Sequence, residues 1–336
     1  MADTMRSTRI VIAGASSLLG AELKELLEES RLAGADFRLV DEEMAAGTLT
    51  EAGGEPVVIQ PVDEDSFARA QIVFFTGSSG FTARNAGAAR RARARVIDLS
   101  GGLAGESGTR MWIPQGEAPA GQGIEGEQFC VPGAPGCMAA MLALGLRRAG
   151  LKRLAVVFYR PAAEAGRYGI EELEEQTRRL LTFQPAGGEV FGTQVAFSMA
   201  DRYGESSAEN LARERTRIQR EAAACLSGAG VSAAVQPSVQ VVHAPVFYGT
   251  MFSAWAEMAA ESAAADVATA CREAGFAVAE AGAAAPGNVS VAGETGAQVA
   301  WPEGDAASAG AWWLWGGADN VKFPAAQAVR LAERLL

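Results

Sequence analysis

From Thr8 to Glu29 the chain reads TRIVIAGASSLLGAELKELLEE. An apolar run, Ile10 to Ala13, stops at Gly14, and Leu19, Leu23, Leu26 and Leu27 then recur at helical spacing. The spacing predicts a strand, a tight turn and a helix. Gly14, Ala15, Ser16, Ser17, Leu18, Leu19 and Gly20 fall where a Rossmann turn places its glycines. There, backbone N–H groups at a helix start face a pyrophosphate, and glycine permits the close approach. Ser17 stands where glycine is favoured, and the same unit occurs in α/β proteins that bind no nucleotide. After the next strand, Asp41, Glu42 and Glu43 offer carboxylates that can accept ribose hydroxyls and would repel a 2′-phosphate. They read as favouring NAD over NADP, or else as a solvated loop.

Further strands are expected at DFRLVD, PVVIQP, IVFFTG and ARVIDLS, with helical or turn-rich pieces between them, which predicts a mostly parallel sheet with helices on both faces. Beyond Cys130 the pattern changes. RLAVVFYRP, VQVVHAPVFYGTMFSAWAEM, VSVAGE, AQVAWPEG and AWWLWGG read as longer strands, interrupted by the helices GIEELEEQTRRLL and ENLARERTRIQREAAACL. An antiparallel sheet with helices on one face is the expectation there. DNVKFPAAQAVRLAERLL reads as an amphipathic helix opening near Asp319 and Asn320. The fold class expected is α/β: a Rossmann-type domain over 1–130, an α+β domain over 131–316, and a C-terminal helix over 317–336.

At 336 residues the chain is long for one core, which agrees with two domains. Apolar residues make up 49%, yet no run approaches the ~20 residues of a membrane span, and no leader peptide is evident, so a soluble cytoplasmic protein is expected. A net charge of -11 with mixed signs along the chain argues against a nucleic-acid partner. Four cysteines without a CxxC pair, and one histidine, leave too few soft ligands for zinc, so no metal is expected.

The ordered pieces resemble the aspartate-semialdehyde dehydrogenase family over essentially the whole chain. VIAGASSLLGAEL resembles the family's glycine-rich start, ARVIDLSGG its strand before an Asn-Ser loop, and GLKRLAVVFYRPAAEAG the segment after its nucleophile helix. VVHAPVFYGT resembles its RVPVxxGH strand, and WLWGGADNVKFPAAQAV its terminal helix, through which Asn320 is placed at the cofactor. The resemblance implies a dimerising second half, a C-terminal helix returning to the first domain, and an acyl-thioester mechanism that reversibly converts aspartate-4-semialdehyde to aspartyl phosphate with NAD or NADP, in lysine, threonine and methionine biosynthesis.

In this sequence the matched positions differ from that apparatus. Ala134 takes the place of the cysteine and Thr250 that of the catalytic histidine. His243 replaces the substrate-binding arginine, Arg160 the assisting glutamine, and Ala104 a phosphate-binding arginine. A hydroxyl is no base near pH 7, and imidazole cannot form the guanidinium fork. Glu214 and Arg217 keep the i, i+3 spacing of the family's ExxK pair. The pattern resembles the family's Usg-type, non-catalytic paralogues most closely. It implies a silent, homodimeric binding or regulatory protein whose pocket, lined by Glu214, Arg217, His243 and Arg160, would take a small anion. Pairing with an active dehydrogenase subunit is a further arrangement.

The alternative is an active NAD(P)-dependent aldehyde dehydrogenase using Cys137. PGC, Pro135 to Cys137, can be laid on the family's Pro-Asn-Cys, and a thiol at a helix start gains from the dipole. His243 would then be its imidazole partner. The competing readings are a small apolar residue for Cys137 beside Met138, Met141 and Leu142, and a hydrogen-bonded residue in a half-buried strand for His243. Cys130 precedes the turn and has less claim.

Overall fold

A computed structural model gives the structure and describes residues 8–52, 55–116, 124, 126–229, 236–259 and 262–336. The chain divides into two compact units, one reaching Pro132 and taking in Pro324–Leu336, the other Gly133–Phe323.

In the first unit, β1 (Arg9–Ala13), α1 (Leu18–Glu28), β2 (Asp36–Asp41), β3 (Leu49–Ala52), β4 (Glu55–Val58), β5 (Gln60–Pro61), β6 (Ala70–Phe75), α2 (Ser79–Arg91), β7 (Arg95–Asp98), β8 (Thr109–Met111) and β9 (Gln128–Cys130) follow in order. The sheet order is β5-β2-β1-β6-β7-β9-β8, with every pairing parallel. Parallel strands need crossover connections and are covered on both faces, which is why β1 and β6 read as unbroken apolar runs. The chain leaves β1 toward β2 on one side and β6 flanks it on the other. The ends of β1 and β6 therefore form the switch point where doubly wound sheets take ligands. The PVVIQP segment, expected as one strand, is split: β4 turns back on β3 as a hairpin and β5 joins the main sheet.

The second unit contains α3 (Ala134–Arg148), β10 (Leu151–Arg160), α4 (Gly166–Leu181), α5 (Leu211–Gly228), β11 (Ser238–His243), β12 (Thr250–Met258), α6 (Ala264–Glu273), β13 (Ala277–Val278), α7 (Asn288–Val291), β14 (Gln298–Val299), β15 (Glu303–Gly304) and β16 (Ala311–Ala318). Its sheet runs β11-β10-β12-β16-β14-β13, with β15 on β16. The expected antiparallel sheet is corrected to a mixed one. β10 and β11 pair in parallel, as do β13 and β14, because the long connection through α4 and α5 returns the chain in the same direction. VSVAGE, expected as a strand, is instead the short helix α7 and a turn. Gly287 opens it through the Ser290 hydroxyl, a local bond that competes with strand pairing.

Alternation on β10 buries Leu154, Val156, Phe158 and Arg160, on β11 Val239, Val241 and His243, and on β12 Thr250, Phe252, Ala254 and Ala256. α3 packs against β10 and α5 against β11. On β16 Trp313 and Trp315 remain exposed. The last helix, α8 (Lys322–Leu335), starts where the Asp319 carboxylate accepts the Val321 and Lys322 amides, both at 2.7 Å. Its Ala325, Ala328, Leu331 and Ala332 share one core with Ile10, Ile12, Leu23, Leu27 and Phe74 of the first unit. Burying a leucine such as Leu331 contributes roughly 2 kcal/mol. Among the described residues no helix is long and apolar enough to cross a membrane.

Candidate functional site

The glycine turn sits at the switch point. Gly14 has φ +94°, and a Cβ there would overlap the Gly77 backbone at the end of β6, so only glycine fits. Ser17 has φ −66° and ψ 158°, ordinary extended backbone, and the position needs no glycine. Its hydroxyl caps α1, accepting the Gly20 amide at 2.9 Å and reaching the Gly14 and Thr76 carbonyls at 2.8 and 2.9 Å. The turn is thus tied to both strands by a neutral side chain, with no acidic residue in the first helical turn.

Asp41, expected at a ribose, is buried. Its Oδ2 accepts the Ser16 amide and hydroxyl at 2.8 and 2.7 Å, and its Oδ1 the Glu42 amide. Oδ2 has both lone pairs occupied, and Oδ1 retains one. Glu42 is ion-paired with Arg84 of α2 at 2.6 Å, on the surface. Asn320 belongs to the second unit, where its Oδ1 accepts the Gly249 amide at 3.1 Å. That bond fixes the start of β12.

The second unit gathers a polar cluster on the helix-covered face, where β10 and β11 end and β12 begins. The register sets Arg160 beside His243. Arg160 donates to the Tyr203 hydroxyl at 2.9 Å and to Glu209 at 2.7 Å. Tyr203 meets His243 Nδ1 at 3.0 Å. On α5, Arg217 donates to Glu214 through Nε at 2.9 Å and to Glu221 through Nη1 at 2.6 Å. Thr250 donates to Glu164 at 3.1 Å. Glu214, Arg217, Arg160 and His243, chosen from the sequence, therefore do share one region. Both guanidiniums expected to receive an anion are already held by carboxylates.

The electrostatics follow from burial. Glu221 is pushed up to about 7 by burial, with Arg217 pulling it down and Glu214 pushing it further up. Glu164 is raised by burial and by Glu214. Burial works against Glu214 too, yet the charge and hydrogen bonds of Arg217 outweigh it and hold Glu214 below the usual range. His243 is pushed down to about 4 by burial and by Arg160. It is fully buried, not half-buried as the strand alternation suggested, because the segment bearing Ala200 bonds to its backbone. Among the described residues, His243 Nε2, Arg160 Nε and Glu221 Oε2 have no hydrogen-bond partner. A buried polar atom left without one costs about 1 to 3 kcal/mol.

The glycines and prolines around Ala134 answer to packing. A Cβ on Gly136 would overlap the Glu221 carboxylate, and one on Gly133 would meet the Arg217 guanidinium. The Gly133 amide faces Glu221 and helps hold its pKa down. Ala134 is fully buried. Cys137 is fully buried on α3, with its sulfur 3.7 Å from Met141 Sδ. Cys225 on α5 lies within its electrostatic reach and is pushed up by burial first. His243 lies with Tyr203, Phe191 and Arg160. Cys130 donates to Asp98 at 3.2 Å inside the first sheet.

Four members of the cluster escaped the sequence reading: Glu164, Tyr203, Glu209 and Glu221. Glu221 was accessible in principle, since it stands four residues beyond Arg217 on the same helix face. The others come from loops whose partners lie tens of residues away, and no local spacing marks them.

A doubly wound nucleotide-type unit followed by a mixed α+β unit defines a two-domain dehydrogenase scaffold. The family model described as semialdehyde dehydrogenase, NAD binding domain, matches residues 9–120, and that described as semialdehyde dehydrogenase, dimerisation domain, matches residues 144–321. The chain belongs to the semialdehyde dehydrogenase family, in agreement with the resemblance read from its motifs. It is similar to a USG-1 protein homolog of Azotobacter vinelandii, 28% identical over 248 residues and covering 73% of this chain and 72% of the relative. It is also similar to aspartate-semialdehyde dehydrogenase 2 of Vibrio cholerae, 25% identical over 244 residues and 71% of each chain. Among solved structures, a probable aspartate-semialdehyde dehydrogenase from Pseudomonas aeruginosa superposes with a TM-score of 0.85 at 26% identity, covering 98% of both chains.

Proposed function

We propose that this chain is a catalytically silent, homodimeric member of the family that keeps the scaffold and binds a small ligand in place of turning it over. The observation that carries the reading is the fate of the two reacting positions. Ala134 offers no nucleophile, and its helix start faces Glu221 and Arg217. Thr250, at the base position, spends its hydroxyl on Glu164. Acyl transfer needs a nucleophile and base within about 2.6 to 3.2 Å of each other, and Ala134 and Thr250 offer neither. The V. cholerae and P. aeruginosa proteins are named for the dehydrogenase, and the A. vinelandii relative is a USG-1 protein homolog. The departures at 134 and 250 favour the latter kind.

A dinucleotide remains part of the reading. The tight turn at Gly14, φ +94°, and the neutral cap at Ser17 fit a pyrophosphate at the Leu18 and Leu19 amides. Asp41 and Glu42 would hold the ribose and disfavour a 2′-phosphate, so NAD is the fitting form. When bound, a nicotinamide supplies hydride transfer, for which this chain lacks the covalent adduct. The exposed Trp313 and Trp315, on a sheet surface within the span matched by the dimerisation-domain family model, support a homodimer. The expected compartment is the cytoplasm.

The test is to incubate the purified protein with aspartate semialdehyde, phosphate and NAD or NADP and to follow nicotinamide absorbance. No turnover is expected. Turnover that Cys137→Ser abolishes would sink the proposal in favour of an active dehydrogenase. Light scattering of the same sample reads the dimer, and co-purification of a subunit of different mass would replace it by a heterodimer.

A further inference from the structure

On the second unit's sheet, α3 packs against β10 and α5 against β11, over the face that buries Val156, Phe158, Phe252 and Ala254. The alternate residues form the opposite face, and strand register fixes their order across it. One row runs Ala155, Trp255, Trp313, and the next Val157, Ser253, Trp315. Tyr159 follows on β10, its ring 5.7 Å from that of Trp315. Trp313 and Trp315 stand exposed on this face.

Hydrogen bonding, charge and relief together select what can cover it. Trp255 Nε1 donates to Asp305 at 2.8 Å and Trp315 Nε1 to the Pro286 carbonyl at 2.7 Å. With their N–H groups spent inside the chain, these rings offer carbon outward, which suits an apolar partner. Neither row carries an ionisable side chain. Charge begins at the rim, with the Arg153 and Glu257 ion pair and with Glu303 beside Trp313. The chain carries a net charge of -11, so two copies repel, and a contact between charge-free faces sets no charge against its like. Large and small residues also alternate, Ala155 beside Trp255 and Ser253 beside Trp315. A two-fold axis lets such ridges enter the hollows of an identical face.

We propose that a second copy of the chain docks on this uncharged face, sheet against sheet about a two-fold axis, with Trp255, Trp313 and Trp315 closing a dry seam. β10, β12 and β16 all lie within residues 144–321, the span matched by the dimerisation-domain family model. Sheets packed face to face stand about 10 Å apart, room for one interdigitated layer of side chains from each copy. This deepens the homodimer reading and rests on it: that reading asks for two copies, and this one for a particular surface.

The experiment is hydroxyl-radical footprinting of the unaltered protein, with light scattering of the same sample. A mass of twice 34.8 kDa is expected. In a lone copy Trp313, 47% exposed, is protected about twofold relative to the unfolded chain. In the seam about tenfold protection or more is expected, since an interface core packs like a protein interior. Met44, fully exposed in the first unit, should stay unprotected. A dimer whose Trp313 and Trp315 react at the lone-copy level would overturn the surface and leave the homodimer reading standing. A monomer mass, or a partner of different mass, would overturn both. Ser253→Asp sets a carboxylate on each face and should weaken the dimer at least about a hundredfold with an unchanged far-UV spectrum, whereas Met44→Asp should not weaken it. A full-strength Ser253→Asp dimer would also count against the proposal, and footprinting of the parent decides if that variant does not fold. Turnover of aspartate semialdehyde is read separately, so the silent-protein reading stands or falls by itself.

Discussion

The starts of α1 and α3 are both glycine-rich turns at a helix N-terminus, and different groups face them. At α1 a neutral hydroxyl, Ser17, takes one amide and no carboxylate follows in the first turn. At α3 no side chain of the turn itself caps the helix, and Glu221, from α5, lies against Gly133 and Gly136. An uncompensated helix start attracts an anion, whereas one already faced by a carboxylate does not. At α3 a carboxylate and guanidinium pair from a neighbouring helix thus occupies the space that the α1 start leaves open.

The largest expected effect breaks the first of these starts. Gly14→Val forces a Cβ into the Gly77 backbone at φ +94°, and a loss of about 3 to 5 kcal/mol is expected. Urea unfolding should show it together with lost dinucleotide binding. A fully stable variant would remove the steric account of this turn.

Gly136→Ala attacks the other start by displacing the Glu221 carboxylate, at a cost of about 2 kcal/mol. Because the clash is with a side chain, adding Glu221→Ala should recover part of that loss. A coupling of at least about 1 kcal/mol in the double-mutant cycle is expected. Strict additivity would show that the two residues do not meet.

Two groups of the second unit should oppose each other with pH. Glu221 titrates near 7 in the fold against an ordinary 4.5, so its contribution is full below 4.5 and is lost as pH rises to 7. His243 titrates near 4 against 6.5, so its contribution is full above 6.5 and is lost as pH falls to 4. Relative to the parent, Glu221→Gln should gain stability and His243→Gln lose it as pH rises between 4.5 and 6.5. Each slope is at most about 1.4 kcal/mol per pH unit. Urea midpoints at several pH values read both, and slopes of the same sign would contradict the assignment.

The smallest effect belongs to the surface pair beside the first turn. Glu42→Gln frees Arg84 and should change stability by less than about 1 kcal/mol. NADP binding should improve relative to NAD, as measured by titration fluorescence. A several-kcal/mol loss would mean that the pair is structural.

Where a signal was local, the sequence was informative. The period change from Ile10–Ala13 to Leu19–Leu27 marks β1 and α1, and the two-residue alternation of Leu154, Val156 and Phe158 marks β10. Alternation carries no strand direction, so the parallel pairing of β10 with β11 was not readable. In VSVAGE the β-branched residues suggest a strand, while the Ser290 bond to Gly287 closes a helical turn. At the site, Glu214 and Arg217 were visible from their spacing. The bond from Thr250 to Glu164 joins residues far apart in sequence, and only the folded β10 and β12 ends bring them together.

The first unit is assembled from two separated pieces of chain, because Pro324–Leu336 completes the core begun by β1 and α1. During synthesis Pro324–Leu336, most of α8, emerges only after the whole of Gly133–Phe323. The second unit can therefore fold while the nucleotide-type sheet still lacks one of its covers, and its apolar face stays open to chaperones or to misassembly until that helix arrives.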